Sequence, residues 1–223
     1  MSLQLPDFRR HPPGAPILTH PPLSWLLLLG ALTAFAPMSI DMYLPSLPAI
    51  ATTFAADPAA AQYTLASFFT GLALGQAVYG PLADRYGRKP PLYAGLTLYI
   101  VASIGCALAP DIATLTMLRF VQATGGCAGV VIARAVVRDR FDAQTSAKIY
   151  SLLMLVMGLA PILAPILGGW ILALASWRAI FGVLALFGFT TLLLSWRHLP
   201  ETRPANAIGD GGVGAALRVY GDL

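Results

Sequence analysis

An aspartate inside an apolar run is the residue of this chain best placed to do chemistry. Asp41 lies in Leu23–Leu44, with Pro37 four residues before it and Pro45 four after. Residues four apart share a helix face, and each proline removes a backbone donor, so a helix is loosened around the acid. Burial penalises a charged carboxylate and a nearby cation favours it. Asp41 can therefore exchange a proton as its surroundings alternately dry and wet. The plainer role is a cap at a helix end, near Tyr43 and Pro45. Acids within membrane segments usually mark ion or proton pathways, which favours the first role.

Arg119 is the natural counter-charge. It opens the stretch RFVQATGG, with Gln122 three residues on and on the same face. Gly125, Gly126 and Gly129 follow and allow a neighbouring helix to approach closely. Arg134 sits about 22 Å farther along the same helix and is expected to be an interfacial anchor. A structural ion pair between Asp41 and Arg119 is the alternative to a proton-coupling pair. Tyr43, Gln122, Thr33, Gln62, Ser67 and Gln76 are the polar candidates to line a substrate cavity with Asp41.

Two further clusters punctuate the chain. Gly80–Pro90, GPLADRYGRKP, is a charged gap between two apolar runs. Its Asp84 follows a helix end, where the dipole disfavours an acid, and so needs Arg85, Arg88, Lys89 or the start of another helix beside it. With Gly80 and Gly87 it reads as a cytoplasmic gate loop that can latch one bundle to another. Later, Gly158, Pro161, Pro165, Gly168 and Gly169 bracket a proline-kinked stretch, a candidate hinge or sealing element or simply a kinked structural helix.

Other chemistry is poorly served. His11, His20 and His198 lie outside or at the edge of the apolar runs, which leaves no HExxH and no buried histidine for a serine dyad. Cys106 and Cys127 fall inside apolar runs and suit neither a disulfide framework nor a metal site. No enzyme and no bound metal are expected.

The elements that must position these residues are membrane helices. Charged residues make up 11% of the 223, apolar ones 57%, and mean hydropathy is +0.71; a soluble domain carries about 25% charge. Six runs are long enough to span: Leu23–Leu44, Gln62–Leu82, Pro91–Leu108, Ile112–Ala133, Ser146–Leu174 and Ala179–Leu199. In lipid, backbone groups must pair within their own segment, so each run is expected to be a helix. The net charge of +4 collects in the loops and tails placed inside, whereas the outer loops carry only Arg178. By the positive-inside rule both termini are cytoplasmic, and the charge is a topology signal with no nucleic-acid partner implied. Residues 1–22 read as a disordered tail, 23–200 as a six-helix transmembrane bundle, and 201–223 as the start of a cytoplasmic connection. A six-helix bundle made of two inverted three-helix units is one half of many transporters.

The signature gap resembles the loop motif of the major facilitator superfamily. DMYLP at Asp41–Pro45, RFVQATGG at Arg119–Gly126, RAVVRDRF at Arg134–Phe141 and APILAPILGG at Ala160–Gly169 extend the resemblance to its drug:proton antiporters, in the bicyclomycin-resistance (Bcr/CflA) branch. Ala123 and Ala164 stand where the family patterns have glycine. The resemblance implies the amino-terminal half of a twelve-helix fold in a bacterial inner membrane. It implies proton coupling at Asp41 and Arg119, drug-like substrates and no cofactor beyond a proton gradient. It also implies a carboxy-terminal six-helix partner, against which the substrate cavity forms. A non-transporting half-bundle and a dedicated metabolite carrier are the alternatives.

Overall fold

The structure, a computed structural model, describes residues 21–202. Nearly all of the expected amino-terminal tail, and the expected connection beyond Thr202, lie outside the described residues. Helices α1 (Leu23–Asp41), α2 (Leu47–Thr53), α3 (Pro58–Tyr86), α4 (Lys89–Leu108), α5 (Ile112–Arg140), α6 (Ala143–Leu174) and α7 (Trp177–His198) follow one another, with one 3-10 turn at Leu44–Ser46. The described residues contain no strand, and the chain is an all-α membrane bundle. Six of its helices are long, as expected. Among the described residues, five spans are long and apolar enough to cross a membrane, with α1 and α2 counted together. α3 has the length, but its glycines, Gln62, Gln76 and charged end dilute its apolar residues.

The boundaries follow local chemistry that hydropathy misses. α1 stops at Asp41, short of the expected Leu44, because Pro45 has no N–H to offer the Asp41 carbonyl. Acids cap three helices, and two of these, α3 and α6, start earlier than expected. Asp57 accepts from the Ala59 amide with Pro58 at the first turn, Asp111 from Thr114 at 2.8 Å, and Asp142 from Thr145 at 2.7 Å. Each satisfies an amide that the first turn leaves unpaired.

α5 is the centre of the bundle, and its glycines make it so. A side chain at Gly125 would stand 2.6 Å from both the Gly95 carbonyl and the Tyr99 amide of α4, and one at Gly129 would meet the Leu32 carbonyl of α1. Gly71 and Gly75 of α3 press in turn on the Phe120 carbonyl and the Cys127 Sγ of α5. These are the close approaches that small-residue spacing allows. α6 lies at the other extreme: Met154, Leu155, Ile162, Leu163 and Trp170 all point outward. An apolar perimeter of this extent faces lipid or protein.

Candidate functional site

The site is built around Arg119, which is wholly buried in α5. Its Nη1 donates to Gln122 Oε1 at 2.7 Å, one turn along the same helix. Its Nη2 donates to the Ser39 carbonyl in the last turn of α1 at 3.1 Å. Aromatic faces close the remaining sides: Cζ lies 4.4 Å from the Tyr43 ring centre, 4.2 Å from Phe68 and 5.7 Å from Phe181. Burying a charge costs several kcal/mol. Two charge-assisted hydrogen bonds at about 1.5–3 kcal/mol each, with two close rings at about 2 kcal/mol each, are of the size needed to offset it. Nε keeps no partner among the described residues.

From Arg119 a polar network runs across the bundle. Gln122 Nε2 donates to Ser103 Oγ at 2.7 Å, and Ser103 Oγ donates to the Tyr99 carbonyl at 2.7 Å. The Tyr99 and Ser39 hydroxyls pair at 2.7 Å, which returns the network to α1. Tyr43 and Thr64 hydroxyls pair beside it. Buried polar groups tied together in this way are rigid when fully satisfied.

Asp41 is not the partner of Arg119. It is half-buried, and among the described residues it makes no hydrogen bond or ion pair. Arg119 instead binds the carbonyl end of α1, where a helix favours a cation, and Asp41 is that helix's last residue. The two expected members of a pair thus meet the same helix end without meeting each other.

The other expected cavity residues divide. Tyr43 and Gln122 join Arg119 in the core. Thr33 is buried and donates to its own helix at the Leu29 carbonyl, 2.8 Å. Ser67 fastens α3 to α5 by donating to the Thr116 carbonyl at 2.7 Å. Gln62 and Gln76 are exposed. Ser39, Phe68, Tyr99, Ser103 and Phe181 were not singled out from the sequence. Tyr99 and Ser103, four apart in an apolar run, gave a signal that could have been read.

The gate segment departs from expectation. α3 continues to Tyr86, so Gly80, Asp84 and Arg85 are helical and only Gly87 and Arg88 connect α3 to α4. The reach of Asp84 to Arg88, one turn on, favours that continuation. Gly80 has nothing near its Cβ position, whereas Gly87 adopts φ +91° and lies 2.9 Å from Glu201 Oε2 by the same construction. Arg88 is buried, bridging Asp84 at 2.7 Å and Asp139 of α5 at 2.8 Å. Burial alone would weaken its charge. The hydrogen bonds and attraction of Asp139 and Asp84 outweigh that and hold the guanidinium above the ordinary arginine value. Glu201 accepts from the Arg88 and Lys89 amides at 2.8 and 3.1 Å, capping the start of α4. Arg85 is exposed and lies over the Tyr86 ring.

In α6 the expected hinge residues lie on an unbroken helix. Gly168 packs against the Met42 carbonyl just after α1, whereas Gly158 and Gly169 have open space at the Cβ position. Pro161 is exposed and Pro165 half-buried. Arg134 is exposed, as an anchor would be.

Known proteins share both sequence and fold. Residues 29–222 match the family profile of the Major Facilitator Superfamily. The chain is 40% identical over 90% of its length to an uncharacterized MFS-type transporter, YdgK, of Bacillus subtilis, and covers 50% of that protein. It is 39% identical to a bicyclomycin resistance protein homolog of Haemophilus influenzae over 80% of its length and 45% of that protein. The multidrug resistance protein MdtL of Escherichia coli is 38% identical over 81% of the chain and 46% of its own length. The chain thus spans about half the length of the curated relatives it matches. A crystal structure of the peptide transporter POT in complex with sulfate superposes with a TM-score of 0.71 at 17% identity, over 93% of this chain and 46% of that one. With the glycine-packed bundle and the sequence match in agreement, this multi-pass membrane chain belongs to the Major Facilitator Superfamily.

Proposed function

We propose that this chain is the amino-terminal six-helix half of a proton-coupled exporter of drugs or other small molecules in the bacterial inner membrane. The observation that carries it is the arrangement at the end of α1. A buried cation holds the Ser39 carbonyl, and two residues later a half-buried acid has no described partner. An acid so placed is available to take up and release a proton. Each change of its charge acts on the helix end that Arg119 grips, and so biases how α1 docks on α5. Proton exchange at Asp41 would then favour inward- or outward-facing states in turn. The proton gradient is the driving force and no cofactor is required.

The substrate cavity would form between this bundle and a second six-helix half, with Arg88, Asp84 and their neighbours gating the cytoplasmic side. The names of two relatives, a multidrug resistance protein and a bicyclomycin resistance homolog, support a drug-like substrate class. The concentration of Lys and Arg at the α3–α4 and α5–α6 ends supports placing those ends, and both termini, in the cytoplasm.

The test is transport by the whole native polypeptide, reconstituted in vesicles under an imposed pH gradient and followed with an amphipathic cationic dye. Gradient-driven dye movement abolished in Asp41→Asn is the expected result; undiminished movement in that variant removes Asp41 from coupling. No movement in any context favours a half-bundle that does not transport. Blotting with an antibody against residues 1–22 checks it independently, since a native product about twice this length supplies the second half.

A further inference from the structure

Away from the Arg119 site, α4 and α7 leave an apolar groove of about 330 Å³ on the outside of the bundle, lined by Tyr93, Thr97, Phe189, Leu192, Leu193 and Trp196. Its two walls repeat at spacings of four: Lys89, Tyr93 and Thr97 on α4, and Phe189, Leu193 and Arg197 on α7. Residues so spaced run along one helix face. The helices are an odd number of spans apart and so run antiparallel, with Gly188 against Ile100 and Tyr99. Lys89 is eleven residues back from Ile100 and Arg197 nine forward from Gly188, so the two cations differ in height by about 3 Å. One end of the groove is therefore basic, and the other, about 12 Å deeper at Thr97 and Phe189, is apolar.

We propose that this groove binds an anionic phospholipid of the leaflet that holds the α3–α4 turn. An acyl chain lies along Thr97, Phe189 and Leu193, and the phosphate sits between Lys89 and Arg197. Two observations favour this occupant over a neutral lipid. Neither cation is in an ion pair among the described residues. Glu201 engages the amide of Lys89 and makes no ion pair with its ammonium, which lies 5.9 Å from the Tyr93 ring centre. Basic pockets between membrane helices select anionic headgroups in this way.

Trp196 reports on the site directly. The full chain is placed in phosphatidylcholine bilayers containing a minor fraction of phosphatidylglycerol with brominated acyl chains. The quenching lost on Trp196→Phe isolates the signal from that residue. Brominated phosphatidylglycerol should quench it about fivefold more effectively than brominated phosphatidylcholine at the same fraction. Lys89→Gln with Arg197→Gln, both at exposed or half-exposed positions, should abolish the preference, and raising salt on the unaltered protein should weaken it. Equal quenching by the two lipids, or a preference that survives both the double substitution and salt, overturns the proposal.

Discussion

The Arg119 guanidinium donates to the Ser39 carbonyl at 3.1 Å, two residues before α1 ends at Asp41. A cation at the carbonyl end of a helix is stabilising by up to about 2 kcal/mol where it is partly buried. Full burial and a surrounding of rings leave no water to compete for the bond. Arg119 thus secures α1 to α5 through the main chain, and that attachment does not use the Asp41 carboxylate.

This division of labour predicts opposite outcomes for two substitutions. Arg119→Ala strands Gln122 and the Ser39 carbonyl and empties the aromatic cage, and should cost about 3–5 kcal/mol in denaturant unfolding of the detergent-solubilised protein. Asp41→Asn removes no described bond and should change stability by less than about 0.5 kcal/mol. Exchanging the two residues, Asp41→Arg with Arg119→Asp, should not restore folding. Recovery in that double variant would mean that an ion pair forms after all.

Gln122 links Arg119 to Ser103 by using its carbonyl and its amide at once. Gln122→Leu should therefore cost about 2 kcal/mol, because it leaves a buried guanidinium nitrogen unpaired. Gln122→Glu keeps an acceptor for Arg119, and the Ser103 hydroxyl can turn to donate. It should retain most of the stability that the leucine variant loses. A melting series of the three proteins checks the order, and equal melting of all three would show that the network carries no stability.

The helices were legible in the sequence because an apolar stretch in lipid has few ways to satisfy its backbone. The glycine face of α5 was legible for a related reason: a missing side chain can be read as space. The partner of Arg119 was not. A main-chain carbonyl leaves no mark in the sequence, and the only visible candidate was the acid at Asp41. Phe68 and Phe181 reach Arg119 from two other helices, and their meeting depends on helix register, which hydropathy does not encode. α2 was hidden because Pro45 and Pro48 sit in its approach and first turn, where they read as loop residues.

Gly168 and Gly169 are adjacent, yet the structure separates them. A methyl group at Gly168 would run into the Met42 carbonyl, and one at Gly169 would meet nothing within 4 Å. Gly168→Ala should destabilise the docking of α6 on α1, whereas Gly169→Ala should be neutral or gain up to about 1 kcal/mol of helix propensity. Thermal unfolding of the two single variants in the same detergent decides it. A larger loss at Gly169 would contradict the packing of α6.

Arg88 offers the sharpest test of the α3–α4 turn, because three segments converge on it: α3 through Asp84, α5 through Asp139 and the stretch after α7 through Glu201. A lysine keeps the charge but lacks the planar fork that reaches two carboxylates at once. Arg88→Lys should therefore cost about 1–3 kcal/mol, with hydrogen exchange rising first at the start of α4. The arginine's folded-state value is raised, so its contribution is complete below the unfolded value and is lost only as pH rises past it. The stability difference between the unaltered protein and the Arg88→Lys variant should accordingly stay flat from about pH 6 to 9. Gly87→Ala should reproduce the same local opening without any change of charge. Its φ of +91° strains any residue with a Cβ, and the added methyl would crowd the Glu201 carboxylate. If Arg88→Lys opens α4 while Gly87→Ala does not, the charge bridge and not the shape of the turn holds the three segments together.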